Sequence, residues 1–246
     1  METYQQIGRT YATTRVEDPR IAAPIHAALG DARRIVNVGA GTGNYEPTDR
    51  LVVAVEPSVA MIAQRRPRSA PVVRARAESL PLASAAFDAA MAVLTLHHWT
   101  DLVEGLRELR RVARRQVILY FEPLQTHGFW GLDYFPQARL HPIELAAPGL
   151  AEIGAVLDVI DVVEVLVPPD CTDGFGTAFW SRPEAYLDPV VQAGMSWLAL
   201  LPETVRAEGT DLLRRDLESG RWDDRFGHLR SESSFDGGYR IAIAGG

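Results

Sequence analysis

The segment Ile35-Val36-Asn37-Val38-Gly39-Ala40-Gly41-Thr42-Gly43 most narrows what this chain can fold into, because an apolar strand runs directly into three alternating glycines. A buried strand cannot continue through such a run, whose missing side chains permit positive φ angles and let a ligand approach backbone amides closely. A second apolar segment, Leu51-Val52-Val53-Ala54-Val55, ends in Glu56, about where open α/β sheets place a carboxylate for ribose hydroxyls. The loop departs from the dinucleotide spacing Gly-x-Gly-x-x-Gly, since position 44 is Asn and the third glycine falls one residue early at Gly43. A nicotinamide site is therefore a poor fit.

Strand and helix signals alternate through the first half, which favours a doubly wound α/β sheet. Asp18-Pro19 reads as an N-cap with proline in the first turn, opening a helix that Gly30 stops. Strands are expected over 34–38, 51–55, 71–76, 87–96, 116–121, 156–167 and 238–244. Leu102, Leu106, Leu109 and Val112 share one helical face, with Arg107, Arg110, Arg111, Arg114 and Arg115 on the remainder. The organisation expected is a single unit over 1–246, with an amino-terminal lid and helix (1–30), a ligand-binding half (34–121), and covering segments carrying the last two strands (122–246).

Composition removes several function classes. The formal charge of −7, with basic residues scattered among acidic ones, argues against a nucleic-acid footprint. All 25 basic side chains are arginine, so neither a Schiff-base lysine nor a phosphate-loop lysine exists. The single cysteine, Cys171, rules out an intramolecular disulfide framework and is expected to line a pocket rather than act as a nucleophile. No membrane-spanning run and no compact metal-ligand spacing occur in the sequence, so the expectation is a cytoplasmic protein without a metal.

Four ordered segments resemble the class I S-adenosylmethionine-dependent methyltransferases, in particular the small-molecule group of quinone-biosynthesis and trans-aconitate-type enzymes. They are Val36 to Gly43, Val55-Glu56-Pro57-Ser58 with Met61, Arg76 to Leu82, and Phe87-Asp88-Ala89-Ala90 through His98-Trp99-Thr100-Asp101. The resemblance implies a Rossmann-like seven-stranded sheet, mostly parallel with an antiparallel final strand, plus helical covering segments. It implies S-adenosyl-L-methionine as cofactor and a small organic molecule as methyl acceptor. Gly39, Ala40 and Gly41 would pass under the methionine part, and Glu56, followed by Pro57, would grip both ribose hydroxyls, its two oxygens matching a vicinal diol's two donors. Met61 and Ala77 would lie by the adenine. Arg76 stands where the family often has aspartate, leaving Glu78 or a backbone carbonyl for the exocyclic amine. Leu94 completes this set. Tyr11 and Arg15 resemble residues that close over the methionine end in trans-aconitate-type relatives.

His97, His98 and Trp99 follow the fourth strand at its carboxyl end, where open α/β sheets bind ligands. His97 is the first candidate for acid/base work, with a packed, hydrogen-bonded histidine as the alternative. Glu122, Asp133 and Asp170 are further base candidates. Phe129, Trp130, Tyr134, Phe135, Phe175, Phe179, Trp180, Trp197 and Trp222 supply aromatic surface for a pocket or for ordinary core. The rival functions are a cofactor-binding enzyme that does not methylate, as in cyclase-like relatives, and a nicotinamide-dependent oxidoreductase.

Overall fold

Asp18 accepts a hydrogen bond from Arg20 N (2.9 Å) just ahead of Pro19, so helix α1 (Pro19–Ala28) opens on a side-chain acceptor and a residue that needs no donor partner. It closes before Gly30, whose φ of 59° only glycine takes up without cost. In this computed structural model residues 14–67, 69–126, 128–141, 145 and 147–245 are described; Tyr11 lies outside them.

After α1 come β1 (Arg34–Val38), β2 (Leu51–Val55), α2 (Val59–Ile62), β3 (Val72–Val73), β4 (Phe87–Val93), α3 (Leu102–Val112), β5 (Ala113–Phe121), α4 (Leu150–Gly154), β6 (Val159–Glu164), α5 (Glu203–Glu218) and β7 (Tyr239–Gly245). The sheet order is β3-β2-β1-β4-β5-β7-β6. β3, β2, β1, β4 and β5 pair in parallel, and β7 inserts antiparallel between β5 and β6.

β1 divides the core. Ile35 packs on the face covered by Ile21 and Ile25 of α1, together with Trp130, Trp180 and Trp222 of the covering segments. Val36 and Val38 enter the opposite cluster with Leu106 and Leu109 of α3. Full burial of each such aliphatic side chain is worth about 1.5–3 kcal/mol.

Four boundaries differ from the sequence expectation. The third strand is two residues rather than six, because past Val73 the chain turns into an Arg76–Ser79 bridge. β4 ends at Val93 instead of residue 96, where Leu94 adopts φ 48° and breaks the extended run. β5 starts at Ala113, so Arg114 and Arg115 belong to the strand and not to the preceding helix; Arg115 Nε donates to Ala28 O (2.7 Å). β6 begins at Val159, since Leu157 N bonds back to Ile153 O (2.9 Å) in the turn that ends α4.

Candidate active site

The parallel register sets Val38 beside Val55, so β1 and β2 end together. The glycine turn is fastened to that edge: Gly39 N and Ala40 N both donate to Val55 O, at 2.9 and 3.0 Å. Gly39 and Gly41 have φ of 73° and 51°. They need glycine for different reasons. A Cβ on Gly39 would lie 2.1 Å from Thr95 Oγ1, whereas one on Gly41 would meet nothing within 4 Å. Gly39 thus lets the loop pass β4's end, and Gly41 opens on the cleft.

Glu56 closes the other wall. Its Oε2 accepts from Gly41 N (2.8 Å) and its Oε1 from Ser58 N (2.8 Å), which holds the carboxylate with acceptor capacity left on each oxygen. Burial raises its pKa, and the two amide donors act against that rise. Beneath the turn, Arg65 forms an ion pair with Glu46 at 2.7 Å, with side chains only 5% and 6% exposed, and also donates to Gly41 O (3.3 Å). Glu46 further accepts from Asn37 Nδ2 and Ala70 N. The sequence reading did not find this support, because Glu46 and Arg65 share no motif.

A cleft of about 320 Å³ opens between these walls. Arg15, Gly39, Ala40, Gly41, Glu56, Pro57, Met61, Ala77, Glu78 and Leu94 all line it, as does His97. Tyr11 is outside the described residues. Two of these side chains do work inside the protein that the sequence does not show. Glu78 Oε1 accepts from Thr100 N (2.6 Å), Thr100 Oγ1 (2.8 Å) and Asp101 N (3.2 Å), anchoring the entry to α3. Arg15 donates from Nε (2.6 Å) and Nη2 (3.2 Å) to Asp173, which is fully buried and also accepts from Tyr45 OH (2.6 Å). Asp173 thereby ties the chain before α1, the glycine turn and a covering segment together. Asn37, Asn44, Tyr45 and Thr95 also line the cleft and were not singled out from sequence.

A smaller cavity of about 100 Å³ shares Arg15, Leu94, His97 and His98 with the cleft. Leu94 holds its left-handed φ through Leu94 N donating to Leu119 O (2.8 Å), a strain of roughly 1–2 kcal/mol of the kind that collects at functional sites. The His97 ring lies tilted against His98 (3.8 Å between ring centroids) and Phe121 (5.3 Å). Burial first, then the neighbouring positive charge, pushes His97 well below its ordinary pKa and His98 down to about 4, so both rings are neutral at pH 7. Trp99 lies over Gly105 of α3, where a Cβ would come within 2.4 Å of the indole, giving that ring a packing role.

Of the nine expected covering-segment aromatics, Phe129, Phe175 and Trp197 line the smaller cavity, while Trp130, Trp180 and Trp222 are buried in the core. The other base candidates are elsewhere: Glu122 accepts from Leu150 N, Asp133 pairs with Arg225, and Asp170 pairs with Arg20. Cys171 is in the core instead of a pocket wall, its thiol pushed up to about 12 by burial. Among the described residues no group of three or more His, Cys, Asp or Glu could hold a metal ion, and no helix is long and apolar enough to cross a membrane.

Residues 36–121 match a methyltransferase domain family. The fold superposes with a TM-score of 0.86 on an Anabaena variabilis protein, provisionally assigned as a methyltransferase of an antibiotic biosynthesis pathway, at 31% identity over 94% of this chain and 98% of that one. The chain belongs to the class I S-adenosylmethionine-dependent methyltransferases. A demethylmenaquinone methyltransferase of Roseiflexus sp. is 37% identical over 161 residues, 58% of this chain and 66% of that protein. Geranyl diphosphate C-methyltransferase of Streptomyces coelicolor, solved with S-adenosyl-L-homocysteine, shares the fold at TM-score 0.52 and 15% identity, over 91% of this chain and 74% of that one. The chain spans between 37% and 66% of the length of the demethylmenaquinone methyltransferases it matches.

The cleft residues fit this family's cofactor on their own chemistry. A carboxylate fixed by two backbone donors suits a diol, and the space beside Gly41 admits a ligand against the turn. Met61 and Ala77 offer apolar surface to a flat ring.

Proposed function

We propose that the protein transfers a methyl group from S-adenosylmethionine to a small organic acceptor. The observation that carries this reading is the Gly39–Thr42 turn bonded to the Glu56 carboxylate and lining one cleft with it, with a second cavity opening from the same wall. Bound there, the cofactor supplies a methyl group already activated on a positively charged sulfur. The protein's share is to bind, to align and to exclude water. Glu56 holds the ribose, the Gly39, Ala40 and Gly41 backbone meets the methionine end, and Pro57, Met61, Ala77, Glu78 and Leu94 complete the cradle. Arg15 borders the methionine end. His97, neutral and placed where the two cavities meet, accepts a proton when the acceptor carries one. The reading takes the chain as one functional unit acting in the cytoplasm, with no nucleic-acid partner.

The test pairs calorimetry with turnover. Glu56→Ala is expected to weaken S-adenosylhomocysteine binding ten- to a hundredfold, from the loss of charge-assisted hydrogen bonds worth roughly 1.5–3 kcal/mol. Unchanged affinity removes Glu56 from the site. Incubation of the protein and S-adenosylmethionine with metabolite fractions should release S-adenosylhomocysteine together with a product heavier by one methylene. Product formed with the cofactor unconsumed favours the non-methylating rival.

A further inference from the structure

Among the described residues three non-glycine positions have φ in the left-handed region, Tyr45 (66°), Ala85 (52°) and Leu94 (48°), and only Tyr45 carries an aromatic ring there. For a bulky side chain that conformation is an outlier, held only where the surroundings over-determine it. At Tyr45 they do so from three separate segments. Its N donates to Glu17 Oε2 (2.7 Å) ahead of α1, its O accepts from His26 Nε2 (3.0 Å) on α1, and its hydroxyl donates to Asp173 Oδ2 (2.6 Å) on a covering segment. Burial first, then the Asp173 charge, raises the phenol far above its ordinary pKa, so the hydroxyl remains a donor at neutral pH.

The next residue carries this restraint to the cleft. Asn44 and Tyr45 line the cleft, and Glu46 is the buried carboxylate beneath the glycine turn, paired with Arg65, which also donates to Gly41 O (3.3 Å). The peptide joining Tyr45 to Glu46 therefore connects Asp173 with Gly41 through bonded and hydrogen-bonded atoms alone. At the far end, the stretch holding Asp173 is stitched to the residues ahead of α1: Thr172 N donates to Asp18 Oδ2 (3.0 Å) and Gly174 N to Thr14 O (2.9 Å). A Cβ on Gly174 would come within 2.8 Å of Thr14 O, so that close approach requires glycine.

None of Thr172, Asp173 and Gly174 lines the cleft, so any effect of a cleft ligand on their amides has to travel through the protein. One route is Arg15, which lines the cleft and pairs with Asp173; the other is Tyr45. The Arg15 route ends on a long side chain with several rotatable bonds. The Tyr45 route ends on the backbone of the turn itself, in a conformation that is costly to hold without its ties. We propose that Tyr45 is a positioning residue: held by Glu17, His26 and Asp173, it sets the glycine turn, so that occupancy of the cleft and seating of residues 172–174 favour one another. The proposal rests on the methyltransferase reading for the identity of the ligand. Such coupling is reciprocal, so a ligand at the turn fastens 172–174 by the same factor that their seating tightens its binding.

Amide hydrogen exchange read by NMR, with and without S-adenosylhomocysteine, tests this in the wild-type chain, Tyr45→Phe and Glu17→Ala. In the wild type the ligand is expected to slow exchange at Thr172 N and Gly174 N at least about fivefold, the lower end of coupling between sites. Tyr45→Phe keeps the ring and removes one hydrogen bond. It should weaken S-adenosylhomocysteine binding about five- to tenfold in calorimetry, and at saturating ligand the slowing at 172 and 174 should vanish while β1 and β2 exchange as in the wild type. A tyrosine that merely stabilised the fold would speed exchange without ligand and leave the ligand's protection intact. Glu17→Ala releases Tyr45 N but leaves the hydroxyl on Asp173; it should act in the same direction, and it carries the comparison if Tyr45→Phe does not fold. Ligand-induced slowing that persists in Tyr45→Phe overturns the proposal and assigns the coupling to Arg15. Absence of slowing in a wild-type chain that binds the ligand overturns it as well. A wild-type chain that binds no S-adenosylhomocysteine counts against the methyltransferase reading instead. Positioning is then read without ligand at Gly39 N, Ala40 N and Gly41 N, where Tyr45→Phe should speed exchange at least about fivefold and unchanged exchange overturns it.

Discussion

The two halves of the site are built in opposite ways. The cleft side is made of backbone and short-range contacts: Gly39 N, Ala40 N and Gly41 N find acceptors on Val55 and Glu56, all within 17 residues of one another in a single turn-and-strand unit. The smaller cavity is made of side chains from distant segments, with Phe121, Phe175, Trp197 and Tyr239 meeting across more than a hundred residues of sequence. A floor of hydrogen-bonded amides is generic and binds the part of a ligand common to a family. A wall of packed side chains can be exchanged one residue at a time, so such a wall can differ between members of one family.

The comparison breaks most severely at Arg65. If the floor is rigid because of its buried support, Arg65→Met should cost about 3–5 kcal/mol, since it strands the Glu46 carboxylate without its partner. Denaturant unfolding gives this figure, and Arg65→Met paired with Glu46→Gln should recover part of it. A loss below about 1 kcal/mol, the range of exposed pairs, places the floor's rigidity elsewhere.

Next in size is a contrast within the turn. Gly39→Ala is expected to cost roughly 2–4 kcal/mol by adding backbone strain to a collision with Thr95. Gly41→Ala should cost only about 1 kcal/mol of stability, because no described atom crowds it. The order reverses for cofactor affinity measured on folded protein, where Gly41→Ala projects into the ligand's space. Equal stability losses would mean that backbone conformation alone selects both glycines.

This contrast also explains what the sequence disclosed. Sheet composition, the glycine turn and Glu56 were legible because their chemistry is local: alternating glycines and a carboxylate at a strand end state their own backbone geometry. The short third strand and the early end of β4 were not, since the chain past Val73 turns into the Arg76–Ser79 bridge and Leu94 leaves the extended run with its N donating to Leu119 O, contacts that no local pattern encodes. Asp173 was equally invisible. It reads as a loop carboxylate, and its pairing with Arg15 and Tyr45 exists only after residues 158 and 128 positions apart are brought together. Among the covering aromatics, composition could not separate Trp197, on the cavity wall, from Trp180 and Trp222 in the core.

Asp173 is where the two halves are joined, and Asp173→Asn tests how firmly. The amide keeps an acceptor for Tyr45 but leaves Arg15 without its anionic partner, at an expected cost of about 2–3 kcal/mol. Hydrogen exchange should rise in the segment around Phe175 more than in β1 and β2 if the covering half depends on this tie. Uniform exchange across both halves would show that they unfold as one.

The gentlest probe is pH, read through His98 and His97 where the two halves meet. His98 is held down to about 4 in the fold against an ordinary value of 6.5, so the unfolded chain takes up a proton first. Its contribution to stability is therefore complete above pH 6.5 and is lost as pH falls from 6.5 toward 4, amounting to about 2 kcal/mol by pH 5. His97, also lowered, acts with the same sign. Glu56, raised by burial, acts with the opposite sign: its contribution is present at low pH and lost as pH rises through its folded pKa, which lies above the usual 4.5. Between pH 7 and 5.5 the histidines lower stability as pH falls, and His98→Gln should flatten the unfolding free energy there. In Asp173→Asn the same slope should shrink, because a loosened cover admits water and lets the His98 pKa climb back toward 6.5. An undiminished slope in that variant would mean that the floor alone keeps the histidines dry.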